Sequence, residues 1–202
     1  MIIKVCGMRE ANNIRMIEQL PITMMGFIFH PRSPRYINEL PEYLPDTVKR
    51  VGVFVNEDIN TVLKLAEKFS LNYIQLHGTE TSEYCLSLHS QKINLIKAFS
   101  IASEADLEET PRYEGLCDYF LFDTKCDTCG GSGKSFDWSV LSAYQGKTPF
   151  LLSGGIAPES VNALKDFRHK SFAGIDLNSR FESMPGVKDV MKLAGFISEL
   201  IK

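Results

Sequence analysis

The chain has little of what marks secreted, membrane or nucleic-acid-binding proteins. Its 202 residues contain no apolar run near the roughly 20 residues that a membrane span needs. The amino end lacks a basic stretch followed by a long apolar one, so no secretory signal is expected there. Cysteines number only five (Cys6, Cys85, Cys117, Cys126 and Cys129), an odd count at irregular spacing that does not fit a disulfide framework. Free thiols in a reducing cytoplasm are the simplest expectation. An excess of positive charge is also missing. The net charge of −3 argues against nucleic acid as the main partner, because neutralising phosphates needs clustered Lys and Arg.

Metal and nucleotide motifs are incomplete. Cys126 and Cys129 have the spacing of half a zinc site, but no second pair and no His-x-x-x-His completes it. His30, His89 and His169 form no ligand pattern, and no metal is expected. Gly130-Gly131-Ser132-Gly133-Lys134-Ser135 looks like a phosphate-binding P-loop, yet Thr128 stands where the motif needs its first glycine. A flexible loop over a site is the better local reading, with loop cysteines that carry no function.

What the chain does contain is ordinary for a soluble globular protein, with 44 % hydrophobic and 23 % charged residues. Short apolar runs, many of them β-branched, recur at residues 2–5, 24–29, 50–55, 73–76, 94–98, 119–122, 150–152 and 171–175. Several are apolar throughout, as expected for strands covered on both faces. Helical patterns lie between them. Ile59, Val62, Leu63 and Ala66 fall on one helix face, and so do Val190, Met191, Ala194, Ile197 and Ile201. Between the fifth and sixth runs the pattern is weak, so that helix is expected to be short or missing. Eight βα repeats in so short a chain, with no linker or break in composition, favour one closed (β/α)8 barrel over residues 1–202; an open doubly wound sheet also fits the pattern.

Polar and glycine residues follow the strands. In a barrel all these strand ends share one rim, where barrel enzymes hold their sites. Cys6 ends the first run and would carry a thiol to that rim, although a cysteine is more often a small buried hydrophobe. Asp123 follows an apolar run, where partial desolvation would raise its pKa; a turn aspartate is the bland alternative. Gly154 and Gly155 after the seventh run, with Ser179 in the turn after the eighth, occupy the positions where barrels commonly bind phosphate. Asp176 opens that eighth-strand turn and is a candidate substrate contact. Arg35, behind Pro31 and Pro34, could grip a carboxylate with two parallel hydrogen bonds. His77 could bond the rim or line the site, and receives no role.

Together these segments resemble the phosphoribosylanthranilate isomerase family. The markers are Lys4-Val5-Cys6-Gly7, Gly26-Phe27-Ile28-Phe29, Ser33-Pro34-Arg35-Tyr36, residues 51–56, Gln75-Leu76-His77-Gly78, Asp123-Thr124, residues 130–138, Leu152-Ser153-Gly154-Gly155 and residues 185–189. The resemblance implies an Amadori rearrangement in tryptophan biosynthesis on a small phosphorylated substrate, without metal or organic cofactor. It makes Cys6 the general base, Asp123 the general acid and Arg35 the holder of the anthranilate carboxylate. Gly154, Gly155 and Ser179 then hold phosphate. One departure stands out: the eighth-strand turn reads Asn178-Ser179-Arg180-Phe181-Glu182, with Arg180 where the family usually has glycine. Two other readings fit the residues: a related aminoaldose isomerase, and a non-catalytic barrel that binds a phosphorylated ligand. A monomer or a homodimer is compatible with the sequence.

Overall fold

A computed structural model describes residues 1–124 and 138–202. Eight parallel strands close into a barrel in chain order, with the eighth paired to the first. They are β1 (Ile2–Cys6), β2 (Met24–Ile28), β3 (Lys49–Phe54), β4 (Tyr73–Leu76), β5 (Leu95–Ile101), β6 (Tyr119–Thr124), β7 (Phe150–Ser153) and β8 (Phe172–Leu177). The closed barrel is the architecture that forms, and the open sheet is not.

The strands are apolar on both faces because both faces are covered. Residues such as Ile3, Val5, Ile74 and Leu76 join the main core beneath the surrounding helices. Met24, Val51, Ile96, Ala98, Leu121 and Leu151 form a separate cluster that plugs the barrel. Alternation along a strand then sets the direction of the polar residues. With Ile3 and Val5 outward, Lys4 and Cys6 point inward; with Ile175 and Leu177 outward, Asp176 does too.

The main helices are α1 (Ala11–Glu18), α2 (Ile59–Lys68), α3 (Ser82–His89), α4 (Val161–Asp166) and α5 (Val190–Leu200). Side-chain caps start three of them. Asp58 accepts from the N–H groups of Asn60 and Thr61, Thr81 from that of Tyr84, and Asp189 from that of Lys192. The connection from β5 to β6 carries a 3₁₀ segment, Glu104–Tyr113, in place of a full α-helix, as its weak pattern implied. Residues 29–48 also cross from β2 to β3 without a helix. Four prolines in that span (Pro31, Pro34, Pro41 and Pro45) remove the N–H donors a helix requires.

Two expectations are corrected. The buried face of α5 is Leu193, Phe196, Ile197 and Leu200, whereas Met191 is 81 % and Ile201 57 % exposed. The stripe is rotated because Phe196 packs on Phe181, their ring centres 4.8 Å apart. The eighth strand also runs two residues further than expected, so Asp176 lies within β8 and not in the turn beyond it. There it pairs in register with Lys4 of β1. Past β8 the chain adds an antiparallel ribbon, β9 (Glu182–Met184) with β10 (Val187–Lys188).

Candidate active site

The strand ends surround a cavity of about 410 Å³. Cys6 reaches it from β1, Gln75 from β4, Asp123 from β6 and Asp176 from β8, with His77 just past β4. Gly154 and Gly155 after β7, and Asn178, Ser179 and Arg180 after β8, complete its rim. Six of the residues singled out in the sequence therefore meet around one space: Cys6, Asp123, Gly154, Gly155, Asp176 and Ser179.

Cys6 is the last residue of β1 and only 4 % exposed. Its room comes from Gly26 on β2, where an added Cβ would lie 2.7 Å from the Cys6 Sγ. Beneath it, Lys4 is fully buried and donates from Nζ to both carboxylate oxygens of Asp176, each at 2.9 Å. Burial pushes the Cys6 thiol up from its ordinary pKa, and the Asp176 charge adds to this. The Lys4 and Lys188 ammonium groups pull it down without cancelling the rise. Burial likewise pushes the Asp176 carboxyl up against the pull of Lys4. Cations thus do stand around the thiol, as a catalytic base requires, but burial outweighs them in the free protein.

Asp123 is one-third exposed and faces His77, with 3.4 Å between His77 Nε2 and Asp123 Oδ2. The other imidazole nitrogen, Nδ1, lies 2.8 Å from Nε2 of Gln75. Next to Asp123, just past its register partner Ser153 on β7, Gly154 and Gly155 have φ of +85° and +66°. Side-chain-bearing residues rarely adopt such angles, so the two glycines are what permit this turn beside the cavity. A 3₁₀ turn, Pro158–Ser160, separates them from α4.

Arg35 lies against Gly7, where an added Cβ would come within 2.6 Å of its Cδ. Its Nε and Nη2 form a fork onto the Glu182 carboxylate at 2.6–3.1 Å, and it is not part of the cavity lining. Glu182 also receives Lys188 Nζ at 2.5 Å and the Gly186 N–H at 3.1 Å. Burial pushes the Glu182 carboxyl up, but the hydrogen bonds from Arg35 and Lys188 outweigh it and hold the carboxyl below its ordinary value. This leaves the Nη1/Nη2 end of Arg35 as the face on which a carboxylate could dock.

The sequence reading missed Lys4, Gln75 and Lys188. For Lys4 a signal was present: a lone charge inside the apolar run Ile2-Ile3-Lys4-Val5 needs a buried partner. Lys188 gave none, because its burial depends on the β9–β10 ribbon folding over it. Cys126, Cys129 and Lys134, with the glycine-rich segment, lie outside the described residues. Among the described residues no group of three or more His, Cys, Asp or Glu is placed to hold a metal ion, and no helix is long and apolar enough to cross a membrane.

Comparison with known proteins converges on one family. The family model described as N-(5'phosphoribosyl)anthranilate (PRA) isomerase matches residues 3–199. A relative from Phocaeicola vulgatus, an N-(5'-phosphoribosyl)anthranilate isomerase, is 56 % identical over 200 residues, covering 99 % of this chain and 98 % of its own. The phosphoribosylanthranilate isomerase crystal structure from Thermotoga maritima superposes with a TM-score of 0.83 at 34 % identity, covering 100 % of this chain and 99 % of that one. A phosphoribosylanthranilate isomerase in complex with reduced 1-(o-carboxyphenylamino)-1-deoxyribulose 5-phosphate gives 0.80 at 32 % identity, over 100 % and 99 % of the two chains. The chain belongs to the N-(5'-phosphoribosyl)anthranilate isomerase family.

Proposed function

We propose that the chain converts N-(5-phosphoribosyl)anthranilate to 1-(2-carboxyphenylamino)-1-deoxyribulose 5-phosphate, the isomerisation step of tryptophan biosynthesis, with Cys6 as general base and Asp123 as general acid. The observation that carries this reading is that a thiol and a carboxyl from opposite parts of the barrel, β1 and β6, border one cavity beside a double-glycine turn.

The protonated Asp123 donates its proton to the furanose ring oxygen. The C1–O bond breaks, and the anthranilate nitrogen lone pair forms a C1=N Schiff base. The Cys6 thiolate then takes the proton from C2. The C2–H electrons become a C1=C2 bond, the C=N pair returns to nitrogen, and the resulting enolamine tautomerises to the ketone. Gly154, Gly155 and Ser179 hold the phosphate. The Nη1/Nη2 end of Arg35 holds the anthranilate carboxylate. Asp176 keeps carboxylate lone pairs beyond those taken by Lys4 for a sugar hydroxyl.

Cys6 must react as its minority form: with an ordinary thiol pKa, about 3 % is ionised at pH 7. The upward shift of Cys6 makes its thiolate rarer still in the free protein. Loss of the fluorescence of phosphoribosylanthranilate on adding the purified protein measures the reaction. Cys6→Ala and Asp123→Asn are each expected to lower kcat at least about 100-fold; near-normal turnover in either removes that residue from its role. Phosphate binding without turnover in the unaltered protein would make it a binding barrel instead, and turnover of a different aminoaldose would point to a related isomerase.

A further inference from the structure

Gln75 is a buried amide whose hydrogen bonding is unfinished. It is the third residue of β4, between Ile74 and Leu76, which face the outer core, so its side chain enters the barrel. It is 1 % exposed and borders the cavity. Its Nε2 lies 2.8 Å from His77 Nδ1. Among the described residues its Oε1 has no partner. Buried amide oxygens are rarely left so, because the group loses water and gains nothing in return. An unfilled acceptor beside a ligand cavity indicates a donor that arrives with the ligand.

The same contact decides the state of the histidine. An amide nitrogen can only donate, so Nδ1 of His77 accepts and a neutral imidazole carries its proton on Nε2. That nitrogen faces Asp123 Oδ2 at 3.4 Å, a contact that a small movement would close into a hydrogen bond. If the amide were reversed, the Nε2 lone pair of a neutral imidazole would face the Asp123 oxygens; while Asp123 is a carboxylate, the first arrangement is the one that aims an N–H at it.

We propose that Gln75 is a positioning and substrate-reading residue: its amide holds His77 as the Nε2–H tautomer facing Asp123, and its Oε1 accepts a hydrogen bond from a sugar hydroxyl of the bound phosphosugar. This rests on the reading that the cavity takes a phosphorylated sugar. Filling Oε1 polarises the amide and strengthens its donation to Nδ1, so ligand binding is felt at the carboxyl assigned as the acid.

The test uses Gln75→Met, which keeps the length but removes both hydrogen-bonding groups. Two probes separate the contacts: reduced 1-(o-carboxyphenylamino)-1-deoxyribulose 5-phosphate, which carries sugar hydroxyls, and inorganic phosphate, which does not. Gln75→Met is expected to weaken the first about tenfold and leave the second within about twofold, the scale of one hydrogen bond. Nitrogen-15 NMR of His77 is expected to show the Nε2–H tautomer in the unaltered protein and a mixture in the variant. An unchanged affinity for the analogue overturns the proposal. So does an equal loss for both probes, or a tautomer indifferent to the substitution. Asp123→Asn is measured separately: if it retains turnover the acid assignment fails, whereas the Gln75 readouts concern binding and tautomer and stand or fall on their own.

Discussion

Lys4 Nζ grips both oxygens of Asp176 at 2.9 Å, two residues before Cys6 on the same inward face of β1. The pair joins the first strand to the eighth across the seam where the barrel closes. It also sets two opposing charges against the thiol. The ammonium favours the thiolate, and the carboxylate disfavours it.

The two partners should therefore move the Cys6 pKa in opposite directions. Lys4→Met removes the cation and raises it; Asp176→Asn removes the anion and lowers it. The pH dependence of Cys6 alkylation by iodoacetamide reads both shifts, and shifts of the same sign would sink this account. Lys4→Met also strands a buried carboxylate, at a cost of about 3–5 kcal/mol to stability. The double variant Lys4→Met/Asp176→Asn should recover much of that loss in urea unfolding.

Gly26 makes the space in which the thiol sits. A methyl group there would meet Cys6 Sγ at 2.7 Å, closer than real contacts allow, and Cys6 Cα at a tight 3.1 Å. Gly26→Ala should displace the sulfur and lower kcat by at least about tenfold, since small misplacements of a catalytic group are costly. Circular dichroism should show the barrel intact. Unchanged kcat would mean that the sulfur has freedom the packing does not suggest.

Arg180 stands on the cavity rim beside Ser179 and is solvent-exposed. An exposed cation near a bound phosphate contributes modestly, so Arg180→Gly should weaken inhibition by inorganic phosphate about two- to fivefold. The loss should shrink as salt is added. An inhibition constant unmoved at low salt would show that the guanidinium does not reach the anion.

Glu18 ties α1 to the segment entering β3. Its carboxylate accepts the N–H groups of Asp46 and Thr47, both at 2.6 Å, the Thr47 hydroxyl at 2.8 Å, and the Tyr43 hydroxyl. Burial pushes its pKa up, but the bonds from Thr47, Tyr43 and Asp46 outweigh it, so the folded value lies below the ordinary one. A depressed carboxyl stabilises the fold above its unfolded pKa, near about 4.3, and that contribution fades as pH falls through the folded value. Glu18→Gln should cost about 1–3 kcal/mol at pH 7. The gap from the unaltered protein should narrow below about pH 4 in urea titrations. A gap that stays constant with pH would assign the loss to packing and not to charge.

Much of the fold was legible because strand spacing and two-faced apolar runs leave few ways to bury eight short strands. Six residues of the cavity lining were legible for a related reason: each ends or follows such a run. Arg35 follows β2 and reaches the chain just past Cys6, at Gly7, but what its guanidinium bonds is not written locally: Glu182, 147 residues later, takes its Nε/Nη2 edge. The α5 stripe failed similarly, because Phe181 selects which side of an apolar helix is covered.

The sequence by itself determined eight βα units, favoured a closed barrel over an open sheet, and put the thiol, the carboxyl and the glycine turn at strand ends, since these follow from local period. Only the tertiary structure decided the state of those groups. Lys4 is buried against Asp176, Gln75 is turned to His77, and the Cys6 thiol is pushed up despite two nearby cations. The Lys4–Asp176 pair and the burial of Cys6 join strands distant in the chain, and Gln75 and His77, though only two residues apart, meet Asp123 of β6 only once the barrel has closed.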